Sequence, residues 1–169
     1  NIGLTKSLNK AIRVARGKYI ARIDVDDYWT KEKLEKQFSF LENNPSYGVI
    51  GSNYIDIDVN TGKKIKIKLY ENDSQIKNNI FKKNPFGHSC IMARTDLIKR
   101  LNGYDESIKF GQDYDLWLRC FPFTKFYNLP QFMCYREFGG LTSMKKKREQ
   151  KIQSIATRIK YIKKYKASR

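Results

Sequence analysis

Residues Lys18 to Ile23 form a short, mostly apolar run that stops abruptly at Asp24-Val25-Asp26-Asp27, three carboxylates within four residues. The run reads as a largely buried strand, and its acidic end narrows the folds open to the chain. In open α/β sheets, ligands bind at strand ends. Carboxylates this close repel one another, so a site that keeps them together gains from a divalent cation or from several hydrogen-bond donors. An all-oxygen set suits a hard ion such as Mg²⁺ or Mn²⁺, with substrate phosphates completing its shell. Spacing alone permits a second reading with equal force: Asp24 to Asp27 form a turn and an N-terminal helix cap ahead of Thr30.

The rest of the chain alternates between helical and strand patterns. Leu4, Leu8, Ile12 and Ala15 recur at helical spacing, and Gly17 follows as a C-terminal cap. Thr30 is placed to cap a second helix that buries Leu34, Phe38 and Leu41 and ends before Asn44-Pro45. A strand over Tyr47 to Ile57 turns at Asn60-Thr61-Gly62 into an alternating segment with Ile65, Ile67 and Leu69 on one face. Asp73 is placed to cap a short helix with Ile76, Ile80 and Phe81, and a strand is expected from His88 to Ala93. Thr95 or Asp96 opens a further helix that Gly103 closes. Helical spacing around Gln112 to Arg119 buries Leu116 and Trp117 and leaves Asp113 near one edge. Strands from Phe126 to Tyr135 complete an α/β body with no internal repeat.

Composition enters at three points. A chain of 169 residues with 40% hydrophobic and 14% aromatic content builds one domain with a real core, which excludes a disordered chain. Cys90, Cys120 and Cys134 are odd in number and lack metal-ligand spacing, so buried thiols in a reducing compartment are expected. With no apolar run near the roughly 20 residues of a membrane span and no signal-peptide pattern, the expected location is the cytoplasm.

The formal charge of +17 is concentrated at one end. Lys145 to Arg169 hold eleven Lys or Arg residues against Glu149 alone. The body is then only moderately basic, and no nucleic-acid partner is expected.

A second acidic cluster, Gln112-Asp113-Tyr114-Asp115-Leu116-Trp117-Leu118-Arg119, follows Gly103-Tyr104-Asp105-Glu106. Near the start stand Asn1-x-Gly3-Leu4-x-x-Ser7-Leu8-Asn9-x-Ala11-Ile12 and Ala15-Arg16-Gly17-Lys18-Tyr19-Ile20-Ala21-Arg22-Ile23-Asp24-Val25-Asp26-Asp27. Together these runs resemble family 2 glycosyltransferases of the GT-A fold, over roughly residues 1–143, with residues 144–169 as a separate basic helical tail. The resemblance implies a partial GT-A fold: a Rossmann-like mixed sheet flanked by helices and lacking the first strands. The early proline-containing strand and the nucleobase-contacting aspartate of the family have no counterpart here, so a fragment of a longer transferase is expected, with weak donor binding and little turnover of its own.

The same resemblance implies inverting transfer of a sugar from a nucleoside-diphosphate donor, a UDP-sugar being favoured, to a hydroxyl of a glycan or lipid-linked acceptor. By it, Asp24 and Asp26 form the Asp-x-Asp pair, with Asp26 the direct ligand of Mn²⁺ or Mg²⁺ on the donor diphosphate. Asp27 takes a supporting or capping place. Asp113 matches the general base that removes the acceptor hydroxyl proton. Asp115, two residues on, points to another side of the helix. Gln112 stands where the family often has an acid. His88 resembles a position near the acceptor cleft, although a lone imidazole is more commonly structural. Arg136 has the guanidinium fork that suits a diphosphate and could equally pair with Glu137 or Asp105. Trp117 lies on the acceptor-side segment, and its amphipathic setting favours core packing over sugar stacking.

In the tail, Ile152, Ile155, Ile159 and Ile162 recur at three- and four-residue spacing among Lys and Arg. That pattern fits a helix lying on an anionic membrane, at the inner face in a cytoplasmic protein, and equally a helix whose isoleucines pack on the domain. Two other classes compete with the transferase. A basic membrane- or nucleic-acid-binding module explains the tail but not the ordered aspartates, and a different metal-dependent nucleotide transferase would share the carboxylates but finds no Walker-type Gly-rich loop.

Overall fold

The computed structural model describes residues 2–139 and 144–166. Asn1, the boundary expected at Ser143 and the last three residues of the tail lie outside the described residues. Six strands form one mixed sheet: β1 (Tyr19–Ala21), β2 (Tyr28–Trp29), β3 (Tyr47–Asp58), β4 (Lys64–Ile67), β5 (Met92–Arg94) and β6 (Lys125–Phe138). Their spatial order is β1-β5-β3-β6-β2, and β4 pairs with the far half of β3. Only β3 and β6 run parallel. The helices are α1 (Leu4–Val14), α2 (Lys33–Asn43), α3 (Asp73–Asn79), α4 (Thr95–Arg100), α5 (Gln112–Cys120) and α6 (Met144–Lys166).

The two-residue period of the strands divides the core. Val49 and Ala93 face a large cluster with Ile12, Ile98, Leu116, Trp117, Phe126 and Tyr161, contributed in part by α1, α4, α5 and α6. Ile50 and Met92, their sequence neighbours, face α2 and pack with Leu41. The hairpin expected at Asn60-Thr61-Gly62 is present, pairing Tyr54–Ile57 with Ile67–Lys64. Gly103 also closes α4 as expected. It takes φ 65°, a left-handed value that favours glycine, and its N–H donates to the carbonyl of Ile98. All three cysteines are buried free thiols.

Several local expectations change, most of them through contacts with distant residues. Residues His88–Cys90 form a 3₁₀ turn rather than the start of a strand, so β5 has only three residues. That turn leaves the Cys90 carbonyl outside the ladder, and the Gln37 amide of α2 donates to it at 2.8 Å. The buried stripe of α2 is therefore Lys33, Gln37 and Leu41, while Leu34 and Phe38 stay 45% and 49% exposed. Lys33 donates to Gln37 at 2.8 Å and lies 3.8 Å from the centre of the Trp29 ring, and burial pulls its pKa down to about 8.

Thr30 does not cap α2 through its side chain. Its hydroxyl is buried without a partner, and its backbone N–H donates to Met133 instead. Asn72, not Asp73, caps α3 in a capping box with Gln75, which frees Asp73 to accept from the backbone N–H of Phe126 at 2.9 Å. On α6, where packing and exposure of the isoleucines were equally open, Ile152, Ile155 and Ile159 are not the packing face, and Ile162 is half-buried. Thr157 and Tyr161 are buried, whereas Ile152, Ile155 and Ile159 are 57%, 40% and 49% exposed. Among the described residues, no helix is long and apolar enough to cross a membrane.

Candidate active site

β1 and β2 lie at opposite ends of the strand order, so residues 22–27 between them cross the sheet at its strand ends. The carboxylates of this crossing have three different environments. Asp24 takes both oxygens to the Arg22 guanidinium and accepts from the Ser89 hydroxyl at 3.0 Å, while its own N–H donates to that hydroxyl at 3.2 Å. Partial burial opposes ionisation of Asp24, but the hydrogen bonds and charge of Arg22 outweigh it and hold the carboxyl below its ordinary range. Asp27 accepts from the backbone N–H of Glu137 at 3.1 Å and so ties the crossing to the end of β6. Asp26 is exposed at the tip beside the fully exposed Val25, and among the described residues no hydrogen bond or ion pair engages its carboxylate.

Arg22 and Ser89 were not among the residues singled out from sequence. A guanidinium inside an otherwise apolar strand was the available signal, because a buried arginine (8% exposed) needs an acceptor nearby. Ser89 comes from the 3₁₀ turn, whose carbonyl also accepts from the Trp29 indole at 2.7 Å. The turn thus fixes the aspartate crossing from below.

His88 begins the same turn and is partly buried. Its Nε2 is 2.7 Å from the Tyr104 hydroxyl, and its ring stands edge-on to Tyr104 and Trp117. Desolvation pulls its pKa down to about 4, against the opposing pull of Asp113 and Asp24 and with the help of Arg22 and Arg136. The imidazole is therefore neutral near pH 7. It also lies within electrostatic reach of both acidic clusters, which are distant in sequence.

Asp113 reaches this place from the first turn of α5. Gly111, at φ 73°, precedes the helix and lets the chain turn into it. The Asn84 amide donates to Asp113 Oδ2 at 2.7 Å, and among the described residues the other oxygen has no hydrogen bond. Gln112 is buried at the same helix end, and Trp117 is wholly buried, packed edge-on to Phe86 behind His88. Asp115 has a different task. It is 0% exposed, accepts from Arg119 at 2.7 Å and from the Tyr161 hydroxyl at 2.8 Å, and so anchors α6 to α5.

Arg136 pairs with neither Glu137 nor Asp105. It forks onto Asp56 across the β3–β6 ladder at 2.9 and 3.1 Å, with its guanidinium 3.9 Å from the centre of the Tyr54 ring. Among the described residues, no acceptor pairs with its Nη1. A further link is invisible in sequence: Asn9 on α1 donates to the Tyr104 carbonyl at 2.9 Å and accepts from the Tyr104 N–H at 2.8 Å. The early motif thereby holds the later one in place.

Asp24, held by Arg22, and Asp113, held by Asn84, both act on the neutral His88, and Asp26 stays exposed on the crossing beside Asp24 in sequence. Comparison with known proteins settles the lineage, since residues 1–101 match the model of glycosyl transferase family 2. The chain belongs to that family. Relatives include an uncharacterised glycosyltransferase of Methanocaldococcus jannaschii, 40% identical over 122 residues that cover 71% of this chain and 41% of the relative. The amylovoran biosynthesis glycosyltransferase AmsE of Erwinia amylovora is 33% identical over 119 residues, covering 70% of this chain and 44% of that one. The family 2 chain thus spans about two fifths of the length of these relatives.

Solved structures show the same fold. S. aureus TarS residues 1–349 in complex with UDP-GlcNAc superpose with a TM-score of 0.64 at 20% identity, covering 82% of this chain and 40% of that one. The mannosyltransferase PcManGT from Pyrobaculum calidifontis, in complex with GDP-Man and Mn²⁺, gives 0.64 at 16% identity, covering 94% and 44%. The mixed sheet flanked by helices is the GT-A architecture of these proteins.

Proposed function

We propose that this chain carries the metal-binding and acceptor-side half of a glycosyltransferase that moves a sugar from a nucleoside diphosphate to an acceptor hydroxyl with inversion. One observation carries the reading: Asp24 and Asp113, remote in sequence, both act electrostatically on His88, which stands on the turn that binds Asp24 through Ser89. Membership of the family supports the reaction class. UDP-GlcNAc and GDP-Man in structural neighbours support a nucleotide-sugar donor without choosing its base. AmsE and an O-antigen biosynthesis glycosyltransferase of Escherichia coli among the relatives support a glycan or lipid-linked acceptor in surface-polysaccharide assembly.

Among the described residues, no group of three or more His, Cys, Asp or Glu side chains is arranged to hold a metal ion. The donor set nevertheless fits a cation shared with a substrate. Mg²⁺ and Mn²⁺ take one or two protein carboxylates and fill the remaining positions with phosphate oxygens and water. Asp26 offers a free carboxylate, and Asp24 stands beside it with Arg22 neutralising its charge. When bound, the ion would neutralise charge gathering on the departing diphosphate.

The remaining chemistry belongs to the chain. Asn84 holds one oxygen of Asp113, leaving the other to take the proton of the acceptor hydroxyl. That hydroxyl oxygen forms its bond to the anomeric carbon as the bond to the diphosphate breaks, and the electron pair leaves with the diphosphate. Neutral His88, steadied by Tyr104, presents a hydrogen-bonding edge without repelling a cation. Arg136 Nη1 remains available to a diphosphate oxygen while Asp56 holds the rest of the fork.

Calorimetric titration of UDP and of GDP, each with and without Mn²⁺, tests the donor half of this reading. Binding of one nucleotide that requires Mn²⁺ and is lost in Asp26→Ala is the expected result. Binding that ignores both the metal and the substitution would remove Asp26 from the site.

A further inference from the structure

Ile152, Ile155 and Ile159 of α6 are exposed apolar side chains that neither the core nor the candidate site uses. Ile152, Ile155 and Ile159 follow one another at three and four residues, so they form a ridge along one side of the helix. They stay 57%, 40% and 49% exposed. The opposite side is fully committed: Tyr161 donates to Asp115 at 2.8 Å, Tyr165 donates to the Leu118 carbonyl at 2.8 Å, and Arg158 donates to the Lys82 carbonyl at 2.8 Å. The ridge cannot turn inward without breaking these bonds. Exposed cations, Arg148, Lys151 and Lys163, stand beside it.

We propose that this ridge is a docking surface for an anionic lipid bilayer, with Ile152, Ile155 and Ile159 entering the headgroup–acyl boundary and the flanking cations meeting lipid phosphates. Charge chooses the occupant. Residues 145–169 carry eleven Lys or Arg residues and one Glu, so two copies of the helix placed ridge to ridge would repel strongly. A polynucleotide would satisfy the cations and leave the isoleucines in water. An anionic membrane satisfies both, as basic helices with an apolar face do when they lie in the interface plane. The surface also serves the fold that carries it. Through Tyr161 and Asp115, α6 is fixed to α5, the helix that bears Asp113, so docking would hold that part of the molecule against the lipid.

Sedimentation of the full chain with vesicles tests this, using phosphatidylcholine alone and phosphatidylcholine with about one third phosphatidylglycerol. The variant is the triple substitution Ile152→Asp, Ile155→Asp and Ile159→Asp. Since these side chains face solvent, its circular dichroism and melting temperature should match the wild type. The wild type should partition at least tenfold more strongly onto the anionic vesicles, and the variant should lose at least tenfold of that. Equal partition onto both vesicle types, or no partition onto either, overturns the proposal. So does a variant that binds as the wild type does, because the contact would then rest on the cations alone. Light scattering provides a last check: a wild-type dimer that the variant converts to monomer would assign the ridge to a second copy. None of these readouts depends on sugar transfer, so the docking surface stands or falls apart from the proposed reaction.

Discussion

Asp113 and Asp115 sit two residues apart on one short helix, and their surroundings differ in kind. Asp115 is fully buried and meets a guanidinium, a phenol and a helix it holds in place. Asp113 is only partly buried, and its single hydrogen bond comes from a neutral amide. Asp115 spends its oxygens on joining two helices, which suits architecture. Asp113 spends one oxygen on the Asn84 amide, and the proposed task of taking an acceptor proton falls to the other. The partner set, rather than the residue type, separates the two.

Substitutions at these neighbours should break the molecule in different ways. Asp115→Ala leaves Arg119 without its carboxylate and the Tyr161 hydroxyl without its acceptor. A loss of about 3–5 kcal/mol is expected, read as a large drop in melting temperature with release of α6. Asp113→Asn should leave the melting temperature nearly unchanged and lower the transfer rate by about 10²–10⁴-fold in the active protein, measured by release of nucleoside diphosphate. A melting loss comparable to that of Asp115→Ala would make Asp113 architectural as well, and the contrast would collapse.

His88 sharpens the comparison through pH. Its folded pKa is held near 4 by burial, below the ordinary 6.5, so the unfolded chain binds the proton more readily. The stability that His88 contributes is therefore complete above about pH 6.5 and lost progressively as pH falls toward 4, on the order of 3 kcal/mol in all. Urea melts at pH 7 and pH 4.5 should show this difference shrinking in His88→Gln. The smallest effect expected is from Tyr161→Phe, which removes one hydrogen bond to Asp115 and leaves the Arg119 pair intact. About 1 kcal/mol should be lost, with faster amide exchange in α6 as the local readout.

Much of the fold could be read directly. The β3–β4 hairpin, the Gly103 stop, and the burial of Leu116 and Trp117 follow from period, turn chemistry and helix spacing, which act over a few residues. The paired acidic clusters and the family were also legible, because ordered motifs survive without knowledge of contacts. Where the reading failed, a distant partner had decided the outcome. The buried face of α2 holds Lys33 and Gln37 because a carbonyl from the His88–Cys90 turn needed a donor. Asn72 replaced Asp73 as a cap because Asp73 serves a β6 amide.

The same division runs through the candidate site. The sequence by itself determined which residue types could bind a cation or move a proton, and on which local elements they stand, since these depend on side-chain chemistry and near neighbours. Only the tertiary structure decided that Arg22 clamps Asp24, that Asn84 holds Asp113, that Asp56 takes Arg136, and that Ile152, Ile155 and Ile159 of α6 face outward while Tyr161 is buried. Apart from Arg22 and Asp24, which share the crossing and are set by Ser89 from the distant turn, these pairings join side chains on different elements, and no local propensity encodes a contact that forms only when the sheet assembles.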